Sequence, residues 1–297
     1  MKKNAKLTIN KIQIAKMKTR HLSILNKSLS GIFSLVILWS CSDTDHTIHD
    51  ELIENDFLIE FTDDQGNKIS KEELLASSGV YGYEIIGEEY ISPEADAFQN
   101  EGRQFGQLGE YLGAIEKFTA AHETAPKWPY PPYDLAYTYL LQGDQENALK
   151  YYEVTDSLAP RGFFTSKTAL HTLKREKSGE LPEGVYMLYL SLEWVQDEKE
   201  RGELIEYLVI EFPGFAPGWK EYSTILEGQE RLDAIETGLS VNPDIETMGI
   251  LSINKAIILN DRGDYQTAEK LLLSVIFDSS STLVNVELAK FVLGNML

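Results

Sequence analysis

A chain of 297 residues, 43% of them hydrophobic and with a formal charge of −20, can bury a large core or a long continuous spine. It offers no basic footprint for a phosphate backbone, so nucleic acid is excluded as a partner, while a basic protein, a cation-bearing surface or plain solubility would each suit the charge. A single cysteine excludes an internal disulfide framework.

Residues 1–40 hold eight Lys or Arg and no Asp or Glu, and without them the formal charge falls to −28. Lys16, Lys18, Arg20 and Lys27 lead into the apolar run Ile32, Phe33, Leu35, Val36, Ile37, Leu38 and Trp39, which is too short to span a bilayer as a helix. Met17 offers a second start that would give a leader of more usual length. The run ends in Leu38-Trp39-Ser40-Cys41, which resembles the processing box of bacterial lipoproteins. The resemblance implies a signal peptide over 1–40 and a lipid, palmitate included, on Cys41, so that the mature protein is anchored to a membrane and does not span it.

Residues 41–56 read as an acidic tether. Acids just after a lipidated cysteine are similar to the surface-export signal of some Bacteroidota lipoproteins. His46 and His49 stand among Asp43, Asp45 and Asp50, a set able to ligate a transition metal. A solvated linker accounts for them equally, and no metal or other cofactor is expected.

Over 57–92 the period changes to two. Phe57, Ile59 and Phe61 alternate with Leu58, Glu60 and Thr62, and Asp63 to Asn67 supplies turn residues before Lys68-Ile69-Ser70. The pattern predicts a β-hairpin, a short helix over Lys71 to Ala76 and a further strand over Tyr81 to Ile86. Asp64, Ile69 and Glu73 fall at the offsets of a calcium-binding helix-loop-helix. Thr62 stands where that loop's first carboxylate belongs and Gly66 comes one place early, so a structural turn is expected.

Ser92-Pro93 is a helix start, with a capping hydroxyl and a proline suited to the first turn. From there Gly109 recurs as Gly143, Ala114 as Ala148, Phe118 as Tyr152 and Pro126 as Pro160, each pair 34 residues apart. Gly102 and Ala114 are expected where two helices cross most closely, and Ala136 and Ala148 where the contact repeats. Gly109 and Gly143 suit turns of positive φ, and Pro126 ends a second helix. The set Gly102, Phe105, Gly109, Tyr111, Ala114, Phe118, Ala121, Pro126 resembles the tetratricopeptide repeat (TPR) family. The second copy, Leu135, Ala136, Tyr139, Gly143, Ala148, Tyr152, Pro160, is similar, with Thr155 in place of Ala121. The resemblance implies a mainly α protein, a right-handed α-solenoid over 93–297 behind a small β-containing segment, with first helices lining a concave groove and no catalysis.

Trp128 to Tyr133, with three prolines, reads as a stiff aromatic corner. Helical spacing carries Tyr130, Tyr133 and Tyr137 onto the face that lines the groove in that family, with Gln99 and Arg103 on the matching face of the first unit. The family's basic clamp for peptide carboxylates is not reproduced. Such aromatics stack on sugar rings, grip an extended peptide, or only fill the space between units.

The register breaks after Pro160, where Phe163 to Lys177 predicts one extra helix. Val185 to Val195 pairs with Arg201 to Phe212, and Pro217 to Leu226 with Arg231 to Val241, a unit short of about one turn. Ala256, Leu259, Gly263, Tyr265, Ala268 and Leu272 recover the pattern, and Ser281 to Leu297 supplies a closing helix with the stripe Leu283, Val286, Ala289, Lys290 and Leu293. No phosphate loop, paired-cysteine site or nucleophile elbow occurs, and His122 and His171 stand singly on helical stretches, so no enzyme is expected. The expected function is a lipid-anchored scaffold for another protein or peptide in the bacterial cell envelope, periplasmic or surface-facing on the outer membrane. The alternative is glycan capture on Tyr130, Tyr133, Tyr137, Tyr186 and Trp194.

Overall fold

The turn between paired helices recurs three times with the same geometry. α1 (Pro93–Gln107) and α2 (Tyr111–Thr124) are joined at Gly109, α3 (Tyr130–Leu141) and α4 (Gln145–Leu158) at Gly143, and α10 (Ile245–Asp261) and α11 (Tyr265–Phe277) at Gly263. The three glycines have φ of 74°, 80° and 85°, a region where a Cβ is strained. Each lets the next residue close back on the helix it leaves. The N–H groups of Glu110, Asp144 and Asp264 donate to the carbonyls of Phe105, Tyr139 and Leu259, all at 2.9 Å. Asp144 and Asp264 then cap the second helix of their pair through the N–H of Asn147 and Thr267.

These pairs belong to a computed structural model that describes residues 57–62, 82–87 and 91–296. The expected leader, Cys41, and the tether with His46 and His49 lie outside the described residues. So do the turn at 63–67, the strand Lys68-Ile69-Ser70 and the helix at 71–76. Strands β1 (Phe57–Thr62) and β2 (Gly82–Gly87) pair antiparallel with Phe57 opposite Gly87 and Thr62 opposite Gly82. Within the described residues β1 pairs with the strand expected over Tyr81 to Ile86.

Small residues set how closely each pair packs. Ala114, Ala136, Ala148, Ala256 and Ala268 have no exposed surface. At Gly102 the missing side chain also makes room for Phe118. A Cβ added there would meet the Phe118 ring at 2.6 Å, so it is the aromatic that requires the missing side chain. The aromatic corner is also shorter than expected, because Tyr130, Pro131 and Pro132 already form the first turn of α3.

After Pro160 the pairing changes. α5 (Ser166–Ser178) lies against α4 on one side and α10 on the other. A short α6 (Val185–Leu190) runs into a 3₁₀ turn over Ser191–Trp194, followed by α7 (Glu198–Glu211), α8 (Ala216–Thr224) and α9 (Gly228–Ser240). Glu176, buried on α5, starts α6. Its carboxylate accepts from the N–H groups of Gly184 and Tyr186 at 2.9 and 2.7 Å and from the Gln145 amide at 3.1 Å. Burial raises its pKa, and those bonds oppose the rise.

The closing helix α12 (Leu283–Asn295) has a wider apolar surface than its predicted stripe. Leu288, Phe291 and Val292 are buried with Leu283, Val286 and Ala289, whereas Lys290 is exposed and pairs with Glu287. α12 covers α10 and α11 as a terminal cap. It also ties the array back on itself. The Leu283 N–H donates to the Arg161 carbonyl at 3.0 Å, and Gly162, at φ 95°, leaves room for Thr282, whose Cγ2 would lie 2.8 Å from an added Cβ. The loop after the second repeat and the start of the closing helix are thus in contact.

Candidate functional site: a tyrosine-lined concavity

Helices α5 and α6, α5 and α10, α7 and α8, and α8 and α10 contact one another, and with α3 they carry a cluster of tyrosines and charged side chains. Its aromatic part starts with Tyr133 on α3. The Tyr133 hydroxyl lies 3.0 Å from Thr165 Oγ1, and its ring meets Tyr152 and Phe163 edge-on at 5.9 and 5.6 Å. Tyr137 stands one turn further along α3 and packs half-buried against the main core. Its hydroxyl has no hydrogen-bond partner among the described residues. Burial raises the pKa of both phenols, and the Glu193 charge raises them further.

The rest of the cluster is charged. Lys220 donates to the Tyr189 hydroxyl oxygen at 2.8 Å, and Tyr189 donates on to Glu221 at 3.3 Å. Glu221 also accepts from Arg201 at 3.0 Å and pairs with Lys220 at 3.2 Å. Burial works to raise the Glu221 carboxyl, but the charges of Lys220 and Arg201 outweigh it and hold the group below the ordinary Glu range. Both cations of the cluster are therefore committed to Glu221 and Tyr189.

Two carboxyls in the cluster behave in the opposite way. Glu193, on the 3₁₀ turn, makes no hydrogen bond or ion pair among the described residues. Enclosure pushes it up to about 7, with the Glu221 charge adding to the rise and Lys220 opposing it. By surface area its side chain is exposed to solvent. Glu246, 9% exposed, is pushed up to about 8 by burial and by Asp244, against Lys220 and the Thr168 hydrogen bond. The Thr168 hydroxyl is 3.0 Å from Asp244 Oδ1 and 3.3 Å from Glu246 Oε2, which pins α5 to the start of α10.

The residues expected to line a groove divide into three groups. Tyr133 and Tyr137 belong to the cluster. Gln99 and Arg103 instead latch α1 to α3. Gln99 is 2% exposed and donates to Asp134 Oδ2, which also receives Arg103 Nε at 3.0 Å, and the guanidinium stands over the Tyr130 ring at 5.0 Å. Tyr130 itself packs edge-on to Phe163 at 4.7 Å. Tyr186 is fully buried between Tyr152 and Tyr189, and Trp194 packs at the margin of the same core. Tyr189, Glu193, Lys220, Glu221 and Glu246 are absent from the sequence expectation. Their one signal is the placing of Lys220-Glu221 inside an otherwise aromatic run, Trp219 to Tyr222.

A shallow, open cleft lies elsewhere, between α5 and the turn into α10, lined by Lys167, Leu170, His171 and Lys174. It holds none of the tyrosines, and His171 Nε2 is engaged there with the Asn242 carbonyl at 3.0 Å. The cluster of tyrosines and charges, which gathers the perturbed groups, is the better candidate. Among the described residues no three His, Cys, Asp or Glu side chains converge as a metal site, and no helix is long and apolar enough to cross a membrane.

No family model and no curated protein matches the chain. Solved structures similar to it include a MamA fragment from Desulfovibrio magneticus RS-1, 15% identical, covering 62% of this chain and 94% of that one with a TM-score of 0.31. TTC0263, a thermophilic TPR protein of Thermus thermophilus, is 18% identical, covers 67% and 99%, and scores 0.28. YrrB, a TPR protein with an unusual peptide-binding site, is 14% identical, covers 66% and 92%, and scores 0.29. At these scores the likeness carries no argument about family or function. The repeats rest on the turns and packing of this chain itself.

Proposed function

We propose that this protein is a binding scaffold, not an enzyme, tethered through a lipid on Cys41 in the cell envelope and holding an extended segment of another protein on the tyrosine-bearing surface. What supports the reading is the pair of half-buried tyrosines on α3, Tyr133 and Tyr137, together with the Lys220–Glu221 ion pair on α8 and the exposed Glu193 carboxyl. An extended segment suits such a surface because side chains on one of its faces can meet tyrosine rings and charges while its backbone stays solvated. Arg201 and Tyr189 hold the ion pair in place before any partner arrives, which lowers the ordering cost of binding.

A photocrosslinking residue at position 137 in intact cells tests this reading. It should yield a discrete protein adduct that is absent when the same residue replaces the exposed Lys150 on α4. Equal adducts from both positions, or none from position 137 alongside glycan binding that disappears with Tyr133→Ala and Tyr137→Ala, would overturn the protein-binding reading in favour of glycan capture.

A further inference from the structure

One hydroxyl hydrogen serves two buried carboxyls where α5 meets the start of α10. Thr168, on α5, places its Oγ1 3.0 Å from Asp244 Oδ1 and 3.3 Å from Glu246 Oε2, and all three residues are buried. The two acceptors are unequally supplied. Asp244 also accepts from the N–H groups of Glu246 and Thr247 at 3.1 and 3.0 Å and from the Thr247 hydroxyl at 2.6 Å, so its charge is met without Thr168. The Glu246 carboxyl has Thr168 alone, through the shared hydroxyl and the backbone N–H, and it makes no ion pair among the described residues. Lys220 acts on it only from a distance, being committed to Tyr189 and Glu221.

From this geometry we infer that Glu246 and Thr168 form a proton-operated latch between α5 and α10, shut while Glu246 carries a proton and open once it ionises. With Glu246 protonated, the junction holds a single carboxylate, Asp244, and that charge is fully hydrogen-bonded. Ionised, Glu246 sets a second carboxylate on the same hydroxyl hydrogen in a buried site, where an uncompensated charge is costly. One of the two must then turn to water. Water is close by, because Asp244 also lines the open cleft of Lys167, His171 and Lys174 between the same two helices. The α12 side of the junction stays closed. There the Glu246 carbonyl accepts from the buried Asn285 amide at 2.9 Å, a bond that ionisation of the side chain leaves in place.

Burial, then the Asp244 charge, pushes the Glu246 carboxyl up to about 8, which sets the opening just above neutrality. The titratable groups around it are Asp244, Lys167 and His171 on α5, Lys220 on α8, Tyr133 on α3 and Tyr189 on α6, while α12 meets it through the neutral Asn285. Burial keeps both phenols neutral over this range, and Lys220 stays charged. His171, whose Nε2 lies 3.0 Å from the Asn242 carbonyl, is common to the native protein and every variant below.

Hydrogen–deuterium exchange of the full chain in detergent at pH 6.5 and pH 8.5, corrected for the intrinsic rise with pH, tests the latch. Exchange over 166–172 of α5 and 245–250 of α10 should be about tenfold faster at the higher pH, as for loss of a hydrogen bond to a charged group, with α2 unchanged. Glu246→Gln should show no such step. Thr168→Val should exchange fast at both pH values and Thr168→Ser should restore the step, which carries the same decision should Glu246→Gln not fold. Infrared difference spectra of the native protein against Glu246→Gln should contain a protonated-carboxyl band at pH 6.5 that is gone by pH 9. A step that persists in Glu246→Gln or Thr168→Val, that appears equally in α2, or that is missing from the native protein would overturn the latch, as would absence of the protonated band.

Discussion

Arg161 and Ser281 lie 120 positions apart and meet, Arg161 donating from Nε to the Ser281 carbonyl at 3.1 Å. The Leu283 N–H returns a bond to the Arg161 carbonyl. This double tie joins the loop after the second repeat to the start of the closing helix. It holds two segments far apart in sequence against each other.

Gly162 is the sharpest probe of that tie. An alanine there must adopt φ 95° and place its Cβ 2.8 Å from Thr282 Cγ2. Both effects act on the folded state, and together they should cost about 2–4 kcal/mol. Chemical denaturation of Gly162→Ala should show that loss, and hydrogen exchange should show faster opening of α12. Arg161→Ala, which leaves the main-chain bond in place, should cost about 1 kcal/mol. Equal stability of Gly162→Ala and the native protein would rule out the tie.

Two glycines on α1 should respond in opposite directions. A Cβ at Gly102 would lie 2.6 Å from the Phe118 ring, whereas one at Gly106 would meet nothing within 4 Å. Gly102→Ala should therefore destabilise by about 1–3 kcal/mol through overpacking. Gly106→Ala should stabilise by about 0.5–1 kcal/mol, because alanine loses less entropy in a helix. Adding Phe118→Leu to Gly102→Ala should recover part of the loss. Urea midpoints of the four proteins decide it, and a neutral Gly102→Ala would refute the packing account.

Local features of this fold were legible in the sequence and its closure was not. Gly109, Gly143 and Gly263 could be placed because a helix must end with positive φ before it can reverse, and only glycine does so without strain. The tie at Arg161 and Ser281 uses main-chain carbonyls, which leave no side-chain signature. The tyrosine stripe of α3 was readable from helical spacing, yet spacing says only which residues share a face. Tyr186, expected on the groove, lies in the core because α6 is six residues long and turns its tyrosine inward. Glu193 and Lys220 leave little trace in the sequence, because charged residues on worn repeats look like any solvated face.

Cys41 is the proposed point of attachment. Labelled palmitate should enter the native protein in cells and not Cys41→Ser, and the variant should leave the membrane fraction. A lipid chain contributes about 0.8 kcal/mol per buried methylene, so losing it should abolish stable partitioning. Unchanged labelling of Cys41→Ser would remove the anchor from the proposed function.

Glu246 should make stability fall as pH rises through neutrality. Its carboxyl moves from 4.5 in the unfolded chain to about 8 in the folded one, through burial first and the Asp244 charge second. Between those values the folded protein holds a proton that the unfolded chain has released. Unfolding then sheds protons, and stability declines with each step up in pH until the folded group ionises near 8. The facing groups are Asp244 and Lys220, with the Thr168 hydroxyl donating to both carboxyls. Glu246→Gln retains an acceptor for Thr168 and cannot ionise. Its stability should match the native protein near pH 5 and exceed it near pH 8.5 by on the order of 3 kcal/mol. Urea denaturation of both proteins across that range isolates Glu246, because every other titrating group is common to the two. Parallel stability curves would mean that the carboxyl is already ionised in the folded protein at neutral pH.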